Sequence, residues 1–419
     1  MTNLKLLLKM VAALLALLLL FVAFVVFVNR IDRSPSEAAI KLQGIAAADM
    51  PVADRDNAYV YVMGFTAQGN ADVMSEGVAR VESLRKSMEA PGPSGGKHDS
   101  AGSPDNAQLI ERYERLLEFK QWREIWPTEV RSTIAPFEKV SEAQRQLYFK
   151  ALALADKGDA AECRRLLEKD YRFWRMVLAE SSSAVGKMIA ARSIEQHFEM
   201  GNLVVRRFPP ALTMIAMPDG WREPVSNRER SLAKIMANEW IISDTDVGRA
   251  VKDGKWRSDD DRSDASAATL FGRLLFQPQA TSNANADRML RVVDLFDSDF
   301  AEIPRAAEIF LAAHGNAKKG GDDVGVYNPV GKMQLNKAGM DEYTTFGFRV
   351  ANLEGMRRIA LLASQLRSSG VKGDEVAERI RTSDLRDPYD GQEFAWDQAH
   401  SSLLFHRTLE GKPDFRIAY

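Results

Sequence analysis

The chain is poor in the residues most used for metal and redox chemistry, with one cysteine, Cys163, and five histidines among 419 residues. A single thiol closes no internal disulfide, so the fold must stand on its core. Cys163 also lies far from the N-terminus, which excludes lipid attachment there. The histidines, His98, His197, His314, His400 and His406, are scattered, with no H-E-x-x-H and no paired cysteines, so no metal site is expected. Excess positive charge is missing too. Against 58 acidic residues stand 56 basic ones, and the net charge of −2 argues against a nucleic-acid partner.

Nucleotide, calcium and acyl-transfer motifs are incomplete. Gly325 to Gly331-Lys332 has one residue too many for a phosphate loop, and Met333 stands where a magnesium-binding hydroxyl is needed. The acidic run Asp259, Asp260, Asp261 and Asp264 reads as a solvated loop. A calcium loop begun at Asp259 would need glycine where Asp264 stands and glutamate where Leu270 stands. Ser181-Ser182-Ser183 lacks the flanking glycines of a nucleophile elbow. Two S-x-x-K matches, Ser94 to Lys97 and Ser369 to Lys372, fall in turn-like text. No residue is therefore assigned a catalytic role, and no cofactor is expected.

What the chain does have is one long apolar run, from Met10 through Leu15, Leu20 and Phe24 to Val28. At about 1.5 Å per residue it spans close to 30 Å, the hydrocarbon thickness of a bilayer. Lys5 and Lys9 precede it, as in signal peptides and signal anchors alike. Its length exceeds an ordinary signal-peptide core, and no A-x-A-like cleavage site follows, because Asn29, Arg30, Ile31, Asp32 and Arg33 come next. An uncleaved anchor is expected, with the lipid bilayer as first partner. Long domains after such a helix are exported largely regardless of charge, which places the body in the periplasm of a bacterium, tethered to the inner membrane.

The remainder, 45% hydrophobic and 27% charged over the whole chain, is ordinary globular material. The expected organisation is a stub and anchor over 1–33, a helical ectodomain over 34–314 and a C-terminal region over 315–419. Ser34 with Pro35 and Glu37 reads as a helix start. The apolar stretch after Asp56-Asn57 reads as a short buried helix, and the glycine- and proline-rich 91–106 as an exposed loop. Helices are expected over 72–89, 109–126, 141–155, 160–207 with one break allowed, 227–242, 265–276, 283–296 and 301–314. The glycine-rich text from Gly315 to Met333 is expected to be irregular. Met340 to Leu366, with Phe348, Leu353, Met356, Ile359, Ala360 and Ala363 on one side, should be a central helix. Asp390-Gly391 with Phe394 and Trp396 suggests a turn into a small two-stranded hairpin. The fold class is mainly α. Tyr171, Arg172, Trp174 and Arg175 are the candidate interface, since tryptophan and arginine mark contact surfaces as well as arginine-edged cores.

N-P-V-G-K from Asn328, R-R-I-A-L-L-A from Arg357, D-P-Y-D-G-Q-E-F-A-W from Asp387 and D-N-A-Y-V-Y-V-M-G from Asp56 resemble an uncharacterised group of bacterial membrane-anchored proteins. That resemblance implies an anchored helical ectodomain and no particular activity. The D-P-Y-D-G unit is also similar to the D-P-W-G turn of type II secretion pseudopilins. The chain departs from that pattern, having no processing glycine followed by a glutamate inside the apolar run. The function expected is binding or assembly with another envelope protein, an immunity protein against a periplasmic toxin being one form. A periplasmic hydrolase acting on envelope material is the alternative.

Overall fold

The computed structural model describes residues 2–48, 50–69, 71–89, 106–125, 135–252, 272, 274–314, 325–337, 339–373, 375–408 and 413–419. The loop expected over 91–106 lies outside them apart from Asn106, as do Asp259 to Asp264, Ser94 to Lys97, His98 and most of the helix expected over 265–276. The architecture is mainly helical with one small C-terminal sheet, and it divides into two compact units. One comprises residues 1–48, 236–292 and 308–342; the other comprises 49–235, 293–307 and 343–419.

The first unit begins with α1 (Thr2–Val28), whose stretch Lys5–Val28 has a mean hydropathy of 3.3 in its most apolar window, none of it buried against protein. An apolar helix with no protein around it is suited to lipid. In α2 (Glu37–Ala47) the cap is Ser36 rather than the expected Ser34, its hydroxyl accepting the Ala39 amide at 3.2 Å. Pro35 therefore precedes the helix instead of opening it. This unit also holds Trp240 of α11 (Ala233–Lys252), whose indole N–H donates to the Ser282 carbonyl of α12 (Pro278–Asp297) at 3.1 Å. Of the text expected to be irregular over 315–333, residues 315–324 lie outside the described ones and 325–328 are irregular, while a helix, Pro329–Lys337, opens within it because Asn328 caps it and proline fits its first position.

The second unit is built from helical hairpins. The short helix α3 (Ala58–Met63) is buried throughout and capped by Asn57. After α4 (Val73–Glu89), α5 (Asn106–Leu116) ends ten residues before the expected Trp126. The chain beyond it turns extended, the Gln121 carbonyl accepting the Ala58 amide at 2.9 Å. A pair of hydrogen bonds between Asn57 and the Arg123 backbone, 2.8 and 2.9 Å, fixes that extended run. Helices α6 (Phe137–Asp156) and α7 (Ala160–Glu180) join through Lys157-Gly158-Asp159, where Gly158 takes φ +78° and Asp159 caps the next helix. The break allowed in 160–207 falls at Ser181-Ser182-Ser183, before α8 (Ala184–Val205).

The expected central helix is α15 (Asp341–Ser368), and Phe348, Leu353, Met356, Ile359, Ala360 and Ala363 are all buried along it. A Cβ on its Gly355 would lie 2.2 Å from the Phe405 ring, so this glycine is what lets the sheet approach the helix. The sheet has three strands where two were expected: β1 (Ala395–Asp397), β2 (Ser402–Phe405) and β3 (Phe415–Ala418), antiparallel in that order. Leu403 opposes Ile417 and Phe405 opposes Phe415, so one face is apolar and buried. The third strand gives β2 a partner on both sides, where a two-stranded hairpin alone is marginally stable in water.

Candidate functional site

Helical spacing decides the fate of the expected interface on α7. Tyr171 and Trp174 turn inward and are 0% and 1% exposed, so neither presents a contact surface. Arg172 and Arg175 reach outward. Arg172 pairs with Glu223 at 2.8 Å, while Arg175 pairs with Glu229 and donates to the Pro224 carbonyl at 2.8 Å. With Glu180 and Arg228 these groups edge a shallow cleft of about 300 Å³.

Beneath that face lies a buried polar centre. Asp170 accepts hydrogen bonds from Tyr113, from Tyr148 at 2.7 Å, from His197 Nδ1 at 2.7 Å and from the Gln144 amide at 3.2 Å. Trp174 donates to the Tyr113 oxygen at 2.8 Å, and Trp221 donates to His197 Nε2 at 3.0 Å. Because Nε2 accepts from an indole N–H, the proton of the neutral ring sits on Nδ1 and points at Asp170. Burial first, and then the Asp170 charge, pushes the Tyr113 and Tyr148 hydroxyls well above their usual range, which keeps them donors.

An aspartate orienting a histidine is half of an acyl-transfer triad. Here the other half is occupied: the nitrogen that would act as base is covered by Trp221. All of these side chains are at most 1% exposed for Trp174 and fully buried for the rest. The arrangement therefore locks four helices and one turn in register rather than presenting a base to a substrate.

A second buried centre explains the serine triple. Ser183 caps α8, accepting the Gly186 amide at 2.9 Å. The Glu124 carboxylate accepts the Ser182 and Ser183 amides at 3.0 and 2.7 Å, placing negative charge at the helix N-terminus. Desolvation nonetheless raises Glu124 above the ordinary carboxylate range, the serine contacts only offsetting it. On the same helix Lys187 is fully buried and donates to the carbonyls of Leu178 at 3.0 Å and Ser231 at 2.7 Å. Burial, and then the like charge of Lys234, lowers it to about 7. Cys163 is buried as well, its thiol raised to about 12 by desolvation, so it is inert.

A second concave surface of this unit is a groove of about 930 Å³ along α5, edged by Arg55, Tyr61, Asp72, Glu111, Arg115 and Phe119. Its walls carry both signs of charge. Among the described residues no group of three histidine, cysteine or carboxylate side chains converges as a metal site. His400 and His406 pair with Asp397 at 2.8 Å and Asp414 at 2.9 Å.

In the other unit the chain just beyond the apolar helix is knitted to distant segments. Asn29, 5% exposed, donates to the carbonyls of Val25 and Val326, both at 2.8 Å, and accepts the Asn328 amide at 2.7 Å. Its own carbonyl accepts from the Gln277 side chain at 2.5 Å. Asp32 caps α12 from outside, accepting the amides of Gln279 at 2.7 Å and Ala280 at 3.0 Å. Asn283 clasps the next stretch, donating to the Ser34 carbonyl at 2.8 Å and accepting the Ser36 amide at 2.9 Å. Asn328, at φ +54°, holds Gln277 and Thr281 at 2.9 and 2.8 Å. Sequence reading missed this joint. The one local signal was Asn-Pro at 328–329, since Asn tolerates the left-handed region before a helix that proline opens. No family model, curated protein or solved structure matches the chain.

Proposed function

We propose that this protein is a single-pass inner-membrane protein whose helical body stands in the periplasm and works by binding another envelope protein. The observation that carries the reading is the joint after α1. A signal peptide is discarded, so the residues at its end have no structural duty, whereas Asn29 and Asp32 each serve hydrogen-bond partners almost 250 residues or more away. Cleavage after Asn29 would leave the Asn328 amide without its acceptor, and cleavage after Asp32 would also strip α12 of its cap. These ties support the reading of the helix as an uncleaved tether.

The binding half of the reading is supported by where the polar chemistry lies. Asp170 and His197 are saturated by internal partners, while the groove of Arg55, Arg115 and Phe119 is open to solvent, with mixed charge and the rings of Tyr61 and Phe119 in its lining. Mixed charge interleaved with aromatic rings suits a protein surface better than a small substrate. An immunity protein against a periplasmic toxin is one form this takes.

Two measurements test it. Intact mass of protein extracted from membranes is expected to include the apolar helix; a mature chain beginning after Val28 removes the tether. A photoreactive side chain at Arg115, in cells, is expected to trap one stoichiometric protein, with a matched position on the Arg228 side trapping none. Absence of any such adduct, together with turnover of envelope material by the purified chain, sinks the binding reading in favour of a hydrolase.

A further inference from the structure

We infer that the face of the first unit bearing Arg30, Arg33 and Tyr327 seats on the bilayer and takes anionic phospholipid headgroups. This rests on the membrane-anchor reading above. Asn29 follows the last helical residue of the apolar span and is hydrogen-bonded both to Val25 in that span and to Val326. The turn 326–328 therefore lies one hydrogen bond from the end of the span, at the depth where lipid meets water. Ile31, two residues on, is 79% exposed. That exposure is unfavourable in water and is relieved in the headgroup layer, where its apolar surface is covered.

The charges next to it point to the headgroup sign. Asp32 stands between the two arginines in sequence, but its carboxylate is committed to the amides of Gln279 and Ala280. The guanidinium of Arg33 instead lies 5.3 Å over the Tyr327 ring, and the Tyr327 hydroxyl donates to the Ile31 carbonyl at 3.3 Å. A tyrosine at the end of a span with two arginines beside it has the composition of a lipid–water boundary, and each arginine there attracts anionic lipid roughly fivefold.

The test uses the full chain in vesicles of phosphatidylcholine and phosphatidylglycerol, with Tyr327→Cys carrying a fluorophore. The buried Cys163 thiol, raised to about 12, does not compete for the label. Quenching is compared between headgroup-spin-labelled phosphatidylglycerol and phosphatidylcholine. Preferential quenching by the phosphatidylglycerol label is expected, falling roughly fivefold for each of Arg30→Gln and Arg33→Gln and fading as salt rises. Equal quenching by both lipids overturns the headgroup assignment. No quenching by either, in a chain that floats with the vesicles and resists alkaline extraction, overturns the seating of this face. A chain that does not float overturns the anchor reading, and this inference with it.

Discussion

The Asp170 centre and the Asn29 joint are both buried polar networks, yet they are made of opposite materials. Around Asp170 a charged group is satisfied by side chains: two tyrosines, a histidine and a glutamine converge on one carboxylate. Around Asn29 neutral amides bond mostly to backbone, and the one carboxylate, Asp32, caps a helix. A buried charge with every donor spoken for is strong as a set and costly to break singly, because the partners left behind stay desolvated. Amide clasps on backbone are individually modest and fail locally. The first device sets the register of neighbouring helices in the bundle. The second ties the end of the apolar helix to segments far away in sequence.

The sharpest way to break that contrast is Asp170→Leu. It leaves the Tyr113, Tyr148 and His197 donors without the carboxylate they share, and a loss of about 3–5 kcal/mol is expected, a large share of the roughly 5–15 kcal/mol that holds an ordinary domain folded. Asp170→Asn keeps the shape and should retain a folded but weakened protein. Urea unfolding followed by near-ultraviolet circular dichroism, where Trp174 and Trp221 report, measures both.

Lys187 refines the claim that saturation is what makes a buried charge tolerable. Its ammonium has two carbonyls and no counter-ion within the hydrogen-bonded set. Its folded value of about 7 lies below the 10.5 of an unfolded lysine, so between these limits the unfolded chain holds more protons. Stability must then rise with pH across that window, by up to about 1.4 kcal/mol per pH unit, the penalty being fully present below pH 7 and gone above 10.5. Lys187→Met should flatten this slope relative to the parent. An unchanged slope means another group carries it.

How far the sequence announces these features depends on sequence distance. The apolar span, α15 and the turn at Gly158 rest on local composition and periodicity, and they are where the pattern puts them. Gln144 with Tyr148, and Asp170 with Trp174, sit four apart on single helices, a spacing that places each pair on one face. Nothing local says that those two faces meet. Tyr171 and Trp174 are legible as an aromatic cluster, and their burial fits an arginine-edged core, while Arg172 and Arg175 alternate with them closely enough to leave the surface reading open beside it. The third strand, Phe415–Ala418, is four residues long and shows no period until its partner is known. Asp32 illustrates the limit, being a helix cap whose helix begins at Pro278.

The joint should break more gently. Asn29→Ala strands the Asn328 amide and the Val326 carbonyl, and about 1–3 kcal/mol of local stability is expected to go. Hydrogen exchange should accelerate at 277–283 and 326–331 while amides of α7 and α8 keep their protection. Asp32→Ala, which removes only a cap, should cost about 1 kcal/mol, read by the same exchange at the start of α12. Acceleration that spread to α7 would mean that the clasp is no local device.

The smallest effect belongs to the residue two positions from the largest. Arg172 and Asp170 share one helix but face opposite ways, and the Arg172 side chain is 52% exposed beside Glu223 at 2.8 Å. Water screens that pair, and two long side chains lose freedom in making it, so Arg172→Ala should change stability by only about 0.2–1 kcal/mol. Urea unfolding resolves this against Asp170→Leu in a single series. If Arg172→Ala approached the cost of Asp170→Leu, the outer face of α7 would have to be coupled to the inner one. The contrast between a saturated buried charge and its exposed neighbour would then fail at its most closely matched pair.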